Sequence, residues 1–289
     1  MCILPFQRTD VGAVALNLLS KLRGGGGSST TGRPSPLTAA LDLADGTVCD
    51  VALLQALAAE IDARRAASGV LEGPASPITT NLQVRRNGLP EWWTASNNLM
   101  LAAPDASVAD IQMGYMGMPI SGAVVVFGAD AKLGSLGLNA AGGFVVVGDR
   151  ANLFASTIST FGMGTVLIGE QTTSTMRARI DARNGGIVLV GADSMWAHNV
   201  RFLTDDMHAI RDLETGKRLN HFGGRIVLER HVWLGEDVTL MGDCGVGADT
   251  IVGRGSFVKN VNLPPNSVCV GAPARAVRSG VTWSREDLP

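Results

Sequence analysis

One histidine lies in a long polar stretch of the second half of the chain. The segment TDDMHAIRDLETGKRLN, Thr204 to Asn220, interrupts a regular apolar pattern and carries His208 among charged side chains. A histidine with its ordinary pKa of about 6.5 is largely neutral near pH 7, so it can accept a proton from an attacking hydroxyl or amine. His208 is therefore a candidate general base. From the residues alone, an exposed loop histidine without a catalytic role remains the alternative.

Charged residues of both signs surround this histidine. The acidic and basic neighbours in the segment are Asp205, Asp206, Asp212, Glu214, Arg211, Lys217 and Arg218. One carboxylate could bind the second ring nitrogen and fix the tautomer, as the third member of a catalytic triad does. The alternative is that the carboxylates are solvated charges that pair with the neighbouring cations.

A sequence repeat on both sides of this segment predicts the scaffold that must position it. Four segments, FGAD, VGDR, IGEQ and VGAD, begin at Phe127, Val147, Ile168 and Val190, at spacings of 20, 21 and 22 residues. Further on, apolar residues recur every six positions at Leu228, Leu234, Leu240, Val246, Val252 and Val258. The residues four positions after the first five of these are small or β-branched: Val232, Val238, Cys244, Thr250 and Ser256.

This periodicity predicts a mainly β parallel solenoid. Three hexads make one coil of eighteen residues, and successive coils stack at the inter-strand spacing of about 4.8 Å. The interior of such a coil is filled by its own side chains and has no room for a substrate. Catalytic groups must therefore lie on an excursion from the coil, and we expect Thr204–Asn220 to be that excursion.

The N-terminal part has a different character. LRGGGGSSTTGRPSP, Leu22 to Pro36, has the composition of a flexible joint. The following segment predicts an amphipathic helix that starts after Asp50, stops at Gly69 and packs on a neighbouring surface or subunit. Its apolar positions are Leu53, Leu54, Leu57 and Ile61. Buried packing is also the expected role of Trp92 and Trp93.

The chain therefore divides into an N-terminal segment and linker (1–36), a helix-containing region (37–118), a β-helix domain (119–262) whose catalytic loop is 204–224, and a C-terminal cap (263–289).

The overall composition excludes several classes of protein. The chain has 289 residues, 46% of them hydrophobic, and a net charge of −2, which predicts a globular protein without a general attraction to nucleic acid or to an anionic membrane. The four cysteines have neither zinc-site spacing nor the density of a disulfide framework, so we expect free thiols, with Cys244 in the core. The apolar run Val11–Leu19 is too short to span a bilayer and lacks the pattern of a secretory signal, so we expect a cytoplasmic protein without a membrane span.

The C-terminal third resembles a known family. The stretch IVLERHVWLGEDVTLMGDCGVGADTIVGRGSFVKNVNLPPNSVCVGAPARAVR, Ile226 to Arg278, is similar to the closing coils of the hexapeptide-repeat acyltransferases. Together with D-x-H-x-I-x-D-L-E-T-G-K-R-L-N before it and VTWSRED after it, the stretch resembles the bacterial capsular and exopolysaccharide O-acetyltransferases. The resemblance implies a left-handed parallel β-helix, a homotrimer, and transfer of an acetyl group from acetyl-CoA to a sugar hydroxyl at a cleft between subunits.

The resemblance also implies roles for individual residues. His208 would be the general base, with Asp206 of the D-x-H motif as the carboxylate that orients it. Trp233 should face outward from its coil and line the acceptor cleft, although packing at a subunit contact is an alternative. His221 lies in NHFGG, where the family usually has N-P-A-K, so it is a candidate acceptor contact at a departure from the family pattern.

The same resemblance suggests a binding site for CoA. Gly235, Gly253, Gly255 and Ser256 would leave room for the pantetheine arm, and a backbone N–H near Gly235 is the candidate donor to the thioester oxyanion. Lys259, Arg275 and Arg278 would bind the phosphates, with ordinary surface charge as the alternative. The segment SFVKNVNLPPNS is one residue longer than the family pattern, which affects the register at Lys259.

No metal site is expected, because His198, His221 and His231 lack the close spacing that zinc sites favour. The function predicted from the sequence is therefore acetyl-CoA-dependent O-acetylation of a saccharide. N-acetylation of an amino sugar and a catalytically silent β-helix scaffold are the alternatives.

Overall fold

The computed structural model describes residues 36–68, 81–107, 111–113, 121–132, 136–139 and 142–286. The described chain is mainly β, with a short helical region near its N-terminal end. The glycine-rich joint before Pro36 and the expected helix stop at Gly69 lie outside the described residues. In the described part of the chain, no helix is both long and apolar enough to cross a membrane.

Short strands form three sheets, which are the three faces of a solenoid. Face 1 contains Gln83–Val84, Leu99–Ala102, Val124–Phe127, Phe144–Val147, Thr165–Ile168, Ile187–Val190, Arg225–Leu228, Cys244–Val246 and Asn262–Leu263. Face 2 contains Asn152–Leu153, Thr173–Ser174, Met195–Trp196, Trp233–Leu234, Ile251–Val252, Ser267–Gly271 and Ala274–Ser279. Face 3 contains Ile111–Met113, Leu136–Asn139, Thr157–Ser159, Arg179–Asp181, Arg201–Leu203, Thr239–Met241 and Phe257–Lys259.

The strands within each face pair in parallel, with antiparallel strands only at the two ends of the described ladder. Gln83–Val84 runs antiparallel to Leu99–Ala102 at one end, and Ala274–Ser279 runs antiparallel to Ser267–Gly271 at the other. The parallel ladder already includes Leu99–Ala102, which lies before the predicted domain start at residue 119. This strand, LMLA, is followed by Ala103 rather than by glycine, so it lacks the repeat signature that marks the later coils.

The predicted periodicity is confirmed by the register and by burial. Ile226 pairs with Cys244, which lies eighteen residues further on, as three hexads require. The six apolar residues at period six, from Leu228 to Val258, are all buried, and so are their five small partners. Glycine ends each of the earlier repeats because the next coil comes close. A Cβ atom at Gly191, for example, would lie 2.4 Å from the carbonyl carbon of Glu229.

The N-terminal helix covers the outer side of face 1. It spans Val51–Ala67, and its N-cap is Asp50, whose side chain accepts a hydrogen bond from the Leu53 amide at 2.8 Å. Leu53, Leu57 and Ile61 are buried in the same hydrophobic cluster as the solenoid strands. Arg64 donates to the Thr165 hydroxyl at 2.7 Å and lies over the ring of Phe144, which joins the helix to two neighbouring coils. The expected packing of this helix on a neighbouring surface is thus confirmed.

Three shorter helical segments complete the N-terminal region: Pro36–Ala39, the 3-10 turn Ala40–Asp42, and Glu91–Ala95. The last of these carries both tryptophans. Trp93 is buried and Trp92 is half-buried, so the expected packing role is confirmed.

A long excursion separates two neighbouring coils. Val188 pairs with Ile226, thirty-eight residues further on, although the next coil requires only eighteen. The extra residues leave the solenoid after Leu203 and return at Arg225. The Gly224 amide donates to the Thr204 carbonyl at 2.7 Å, which closes the neck of the excursion. The excursion predicted from the polar stretch is therefore present, and both its ends are attached to the scaffold.

Asp205 fixes the base of the excursion. It is 6% exposed, and its carboxylate accepts hydrogen bonds from the Asn184 side chain at 3.1 Å, the Gly223 amide at 3.0 Å and the Met207 amide at 2.5 Å. Burial acts to raise the pKa of Asp205, but these hydrogen bonds and the Arg218 charge outweigh burial and hold the pKa below its usual value of 3.8. A carboxylate with several donors is a strong anchor because charge-assisted hydrogen bonds are stronger than neutral ones.

We predict that Asp205→Asn loosens the excursion without unfolding the solenoid. The amide loses the charge and half of its acceptor capacity, and a lost hydrogen bond to a charged group costs about 1.5–3 kcal/mol. Hydrogen exchange at the Met207 and Gly223 amides should become at least about tenfold faster, since 1.4 kcal/mol corresponds to a factor of ten. Asp212→Asn is the matched control, because Asp212 is less buried than Asp205 and, among the described residues, accepts hydrogen bonds only from Glu214 and Thr215.

The pH dependence follows from the lowered pKa of Asp205. A carboxylate whose folded pKa is lowered stabilises the fold above its unfolded pKa, and this contribution is lost as the pH falls through the folded pKa. Amide protection at Met207, corrected for intrinsic exchange, should therefore persist from pH 7 to about 4 and disappear only below that. Loss of protection between pH 7 and 5, or unchanged protection in Asp205→Asn, would contradict this anchoring role.

Candidate active site

His208 lies on the excursion with its side chain exposed. The Asn220 side chain fixes the loop around it, donating to the His208 carbonyl at 2.8 Å and accepting from the Ile210 amide at 2.9 Å. Within the described residues, the His208 imidazole itself makes no hydrogen bond and no ion pair. Its backbone is therefore held while both ring nitrogens are available to an incoming group.

Asp206 contacts groups other than this imidazole. Its carboxylate accepts a hydrogen bond from the Asn220 side chain at 3.0 Å and lies 3.6 Å from the Lys259 ammonium. Two other carboxylates of the loop also have local partners, since Asp212 caps a turn and Asp205 holds the base of the excursion. In the described part of the chain no carboxylate is bonded to His208, so the orienting role of Asp206 stays a prediction.

A cleft of about 230 Å³ lies between the excursion and the next coil. Its walls are Thr204, Asp205, Asp206, Ile210, Leu219, Asn220, His221, Met241, Gly242, Lys259 and Asn260. His221 lies here with its Nδ1 atom 3.6 Å from the Asp243 carboxylate. Asp206, His221 and Lys259, three of the residues predicted to form a site, are thus brought together with the base of the catalytic loop.

The three cations assigned to the CoA phosphates are divided between two faces of the solenoid. Lys259 ends the last strand of face 3 and belongs to the cleft through its ion pair with Asp206. Arg275 and Arg278 lie on the antiparallel edge strand of face 2, where both are exposed. In the described part of the chain these two arginines have no acidic partner, so they are available to an anion.

The glycines and serine assigned to the pantetheine site all have structural roles. A Cβ atom at Gly235 would lie 2.7 Å from the Arg254 nitrogen, and one at Gly253 would lie 2.7 Å from a methyl carbon of Val270. Gly255 has a φ of +69°, which disfavours other residues. The Ser256 hydroxyl donates to the Gly253 carbonyl at 2.6 Å. Coil packing at Gly235, Gly253 and Ser256, and the left-handed turn at Gly255, therefore account for these residue types without a ligand.

The amide of Gly235 itself, one of the backbone N–H groups near the expected oxyanion, is already engaged. The Gly235 N–H donates to the Val252 carbonyl at 2.8 Å, as part of the ladder between coils. The sequence did not predict this hydrogen bond, because a glycine in a motif does not reveal where its amide points. An oxyanion donor near Gly235 would have to be another group.

Trp233 faces outward from face 2, as predicted, and is 37% exposed. His208 and the cleft instead lie on the side where the chain passes from face 3 to face 1. The tryptophan and the histidine of the predicted site are therefore on different sides of the solenoid within one chain.

The remaining histidines are structural or isolated. Both ring nitrogens of His231 have partners, the Asp193 carboxylate at 2.6 Å and the Trp283 carbonyl at 3.0 Å. His198 lies 3.7 Å from the Glu236 carboxylate. Among the residues that the structure describes, no group of three or more side chains is arranged to hold a metal ion.

The loop anchors Asp205 and Asn220 were not singled out from the sequence as structural residues. Asp205 was one of four acidic candidates near the histidine, and only the fold shows that its partners Asn184 and Gly223 come from outside the first turn of the loop. Asn220 is the last residue of the polar segment, and this position is the feature of the sequence that could have identified it as a loop anchor.

Comparison with known proteins identifies relatives among bacterial acetyltransferases. The chain is 31% identical over 128 residues to the polysialic acid O-acetyltransferase of Neisseria meningitidis, a match that covers 44% of this chain and 53% of the relative. It is 29% identical over 124 residues to the polysialic acid O-acetyltransferase of Escherichia coli O1:K1, covering 42% of this chain and 39% of that relative. The matches thus span about half of these relatives or less. No family model matches the chain.

A solved structure shares the fold. The crystal structure of the polySia specific acetyltransferase NeuO superposes with a TM-score of 0.54 at 21% identity, covering 66% of this chain and 83% of that one. The predicted fold class, a mainly β parallel helix with an N-terminal helical extension, is confirmed. The chain therefore has a parallel β-helix fold and is similar over part of its length to bacterial polysialic acid O-acetyltransferases.

Proposed function

We propose that this protein transfers an acetyl group from acetyl-CoA to a hydroxyl of a saccharide, with His208 as the general base. The observation that carries the proposal is the exposed His208 imidazole, free of partners in the described residues, on an excursion held by Asp205 and Asn220. A general base needs an unoccupied nitrogen and a fixed backbone, and this arrangement supplies both.

The proposed reaction is a direct attack. The acceptor oxygen attacks the thioester carbonyl carbon while His208 takes the hydroxyl proton. The carbon–sulfur bond then breaks, and the departing CoA thiolate receives that proton from the imidazolium. The products are an acetyl ester and CoA, so no oxidant or further reactant is required.

The described cysteines support a mechanism without an acyl-enzyme. Cys49, Cys244 and Cys269 are all buried free thiols. Burial raises the pKa of Cys244 to about 12 and that of Cys49 to about 11. A thiol nucleophile needs a lowered pKa and access to substrate, and these residues have neither.

The acceptor class comes from the relatives, whose names specify polysialic acid. We propose a bacterial surface polysaccharide as the acceptor of this chain, with polysialic acid as the first compound to test. The position of Trp233 away from His208 in one chain is consistent with a site shared between subunits. We therefore also propose the homotrimer that the resemblance implies.

We predict that His208→Ala lowers acetyl transfer by about 10²- to 10⁴-fold, because the acceptor loses its general base. CoA release and labelled acetate on the polysaccharide, detected by mass spectrometry, measure the loss. Leu213→Ala is the loop control, since this side chain is fully exposed on the same excursion, and its rate should stay within about twofold.

His208→Ala with wild-type activity would remove the histidine from the mechanism. Transfer to amino sugars alone would favour N-acetylation. Failure of the wild-type protein to bind acetyl-CoA in calorimetry would favour a silent scaffold.

We further predict that Arg275→Ala combined with Arg278→Ala raises the KM for acetyl-CoA about tenfold, because charge-assisted bonds to the 3′-phosphate are lost. The KM for the dephospho analogue of the donor should change little. Arg230→Ala is the matched control, since Arg230 is already paired with Asp249 at 3.1 Å. Equal weakening for both donors would contradict the assignment of these arginines to the 3′-phosphate.

A further inference from the structure

The segment Val281–Arg285, which we name the C-terminal strap, runs along one corner of the solenoid. The corner residues that it contacts have left-handed backbone conformations, with φ between 50° and 59°, and each lies one or two positions before a strand of face 2. They are Gln171, Asp193, His231, Asp249 and Asn266. The five strands that follow them are consecutive in the sheet, so the strap crosses five successive coils.

The strap is held at both ends. At its start, the Val281 amide donates to the Asn266 carbonyl at 3.1 Å. At its end, Arg285 donates to the Asp193 carboxylate at 2.7 Å and to the Gln171 carbonyl at 3.1 Å. A chain segment fixed at two separate points has little freedom between them, and Trp283 lies between these points.

Trp283 packs closely on His231. The two rings are stacked, with centroids 4.0 Å apart and an interplanar angle of 8°. The indole N–H donates to the His231 carbonyl at 2.8 Å, and the His231 ring binds the Trp283 carbonyl and the Asp193 carboxylate. Both nitrogens of the His231 ring are therefore engaged, one by each of these partners.

Asp193 is the acidic partner of both the strap and the His231 ring. Burial acts to raise the pKa of Asp193, but hydrogen bonds from Arg285 and His231 outweigh burial and hold the pKa below its usual value. The carboxylate thus lies between Arg285 of the strap and the His231 ring of the coil. This arrangement fixes the plane of the His231 ring on which Trp283 stacks.

On its other side Trp283 contacts Trp233. The ring centroids are 6.0 Å apart at an interplanar angle of 51°, a tilted geometry that aromatic pairs favour. Trp283 is 9% exposed, whereas Trp233 is 37% exposed. The strap tryptophan is therefore a buried support, and the coil tryptophan presents the accessible indole.

We propose that Trp283 is a positioning residue that fixes the Trp233 indole for the apolar C–H face of a sugar ring of the acceptor. The acceptor part of this proposal rests on the proposed function. The positioning part rests only on the contacts of the strap. A flat aromatic surface gains affinity when it is held in its binding orientation, because less freedom is lost on binding.

The positioning part is tested by fluorine NMR of the full chain labelled with 5-fluorotryptophan. Trp233→Phe assigns the Trp233 resonance. In Trp283→Ala this resonance should shift and broaden as the indole samples several rotamers, whereas in Trp283→Phe, which keeps an aromatic ring on His231, it should stay sharp. Thr282→Val is the control, because among the described residues the Thr282 hydroxyl hydrogen-bonds only to Asp249, at 3.3 Å, and the resonance should not change. A Trp233 resonance that is unaltered in Trp283→Ala would overturn the proposal.

The acceptor part is tested by kinetics with polysialic acid and, if that is not acetylated, with the polysaccharide that is. Trp283→Ala should raise the acceptor KM about tenfold and leave kcat within about twofold, since the base and donor site are untouched. Trp283→Ala combined with Trp233→Ala should be no worse than Trp233→Ala alone, because Trp283 acts through Trp233. Additive effects, or a fall in kcat without a change in KM, would show a structural role only and overturn the acceptor part.

The two proposals fail separately. Absence of acetyl transfer by the wild-type protein would defeat the proposed function and the acceptor part with it, while the fluorine resonance would still decide whether Trp283 fixes Trp233.

Discussion

Stacking of coils on one another is the constraint from which the rest of this structure follows. Each coil satisfies the backbone hydrogen-bonding groups of the next, as in the bond from the Gly235 amide to the Val252 carbonyl. The interior is filled by inward-facing apolar side chains such as Leu228 and Leu240, which are fully buried. In the described coils, these side chains occupy the interior and the strand amides bond to the next coil. Chemistry must therefore occur on groups added to its outside.

Two additions supply such groups. The excursion after Leu203 carries His208 and forms one wall of the cleft with Asp206 and Lys259. The C-terminal strap crosses the opposite end of the face 1 strands and supports Trp233. Each addition is attached to the coils by buried or charge-assisted hydrogen bonds, through Asp205 in the excursion and Arg285 in the strap. A rigid scaffold with firmly attached loops is the usual way to position catalytic side chains.

Much of the scaffold could be predicted from the sequence, because a period of six can be satisfied in few other ways. Leu234 and Val252, for instance, are buried where the repeat places them. The first strands of the ladder could not be predicted, since Leu99–Ala102 lacks the glycine that ends later repeats. The excursion was predictable as an interruption of this period, and its histidine was the obvious candidate for a base.

The site contacts depend on partners far apart in sequence, and the repeat carries no information about them. Asp205 accepts hydrogen bonds from Asn184 and Gly223. Arg285 donates to Asp193, although about four coils separate the two residues in the sequence. The glycines that suggested a pantetheine channel are explained by the close approach of the next coil, as at Gly235. A residue type selected by packing and one selected by a ligand look the same in a single sequence.

The central claim is that the scaffold is complete without the excursion, which carries the proposed general base. In the next coil, Gly242 and Asp243 form the corner between Met241 and Cys244. Arg225 occupies the position in its own coil that Asp243 occupies in the next coil. Replacing Thr204–Gly224 by one glycine would therefore restore an eighteen-residue coil. Circular dichroism, cooperative unfolding and acetyl transfer should be measured on this variant. The account predicts a folded β-solenoid without detectable transfer, and a variant that fails to fold, or that transfers acetyl groups at the wild-type rate, would contradict it.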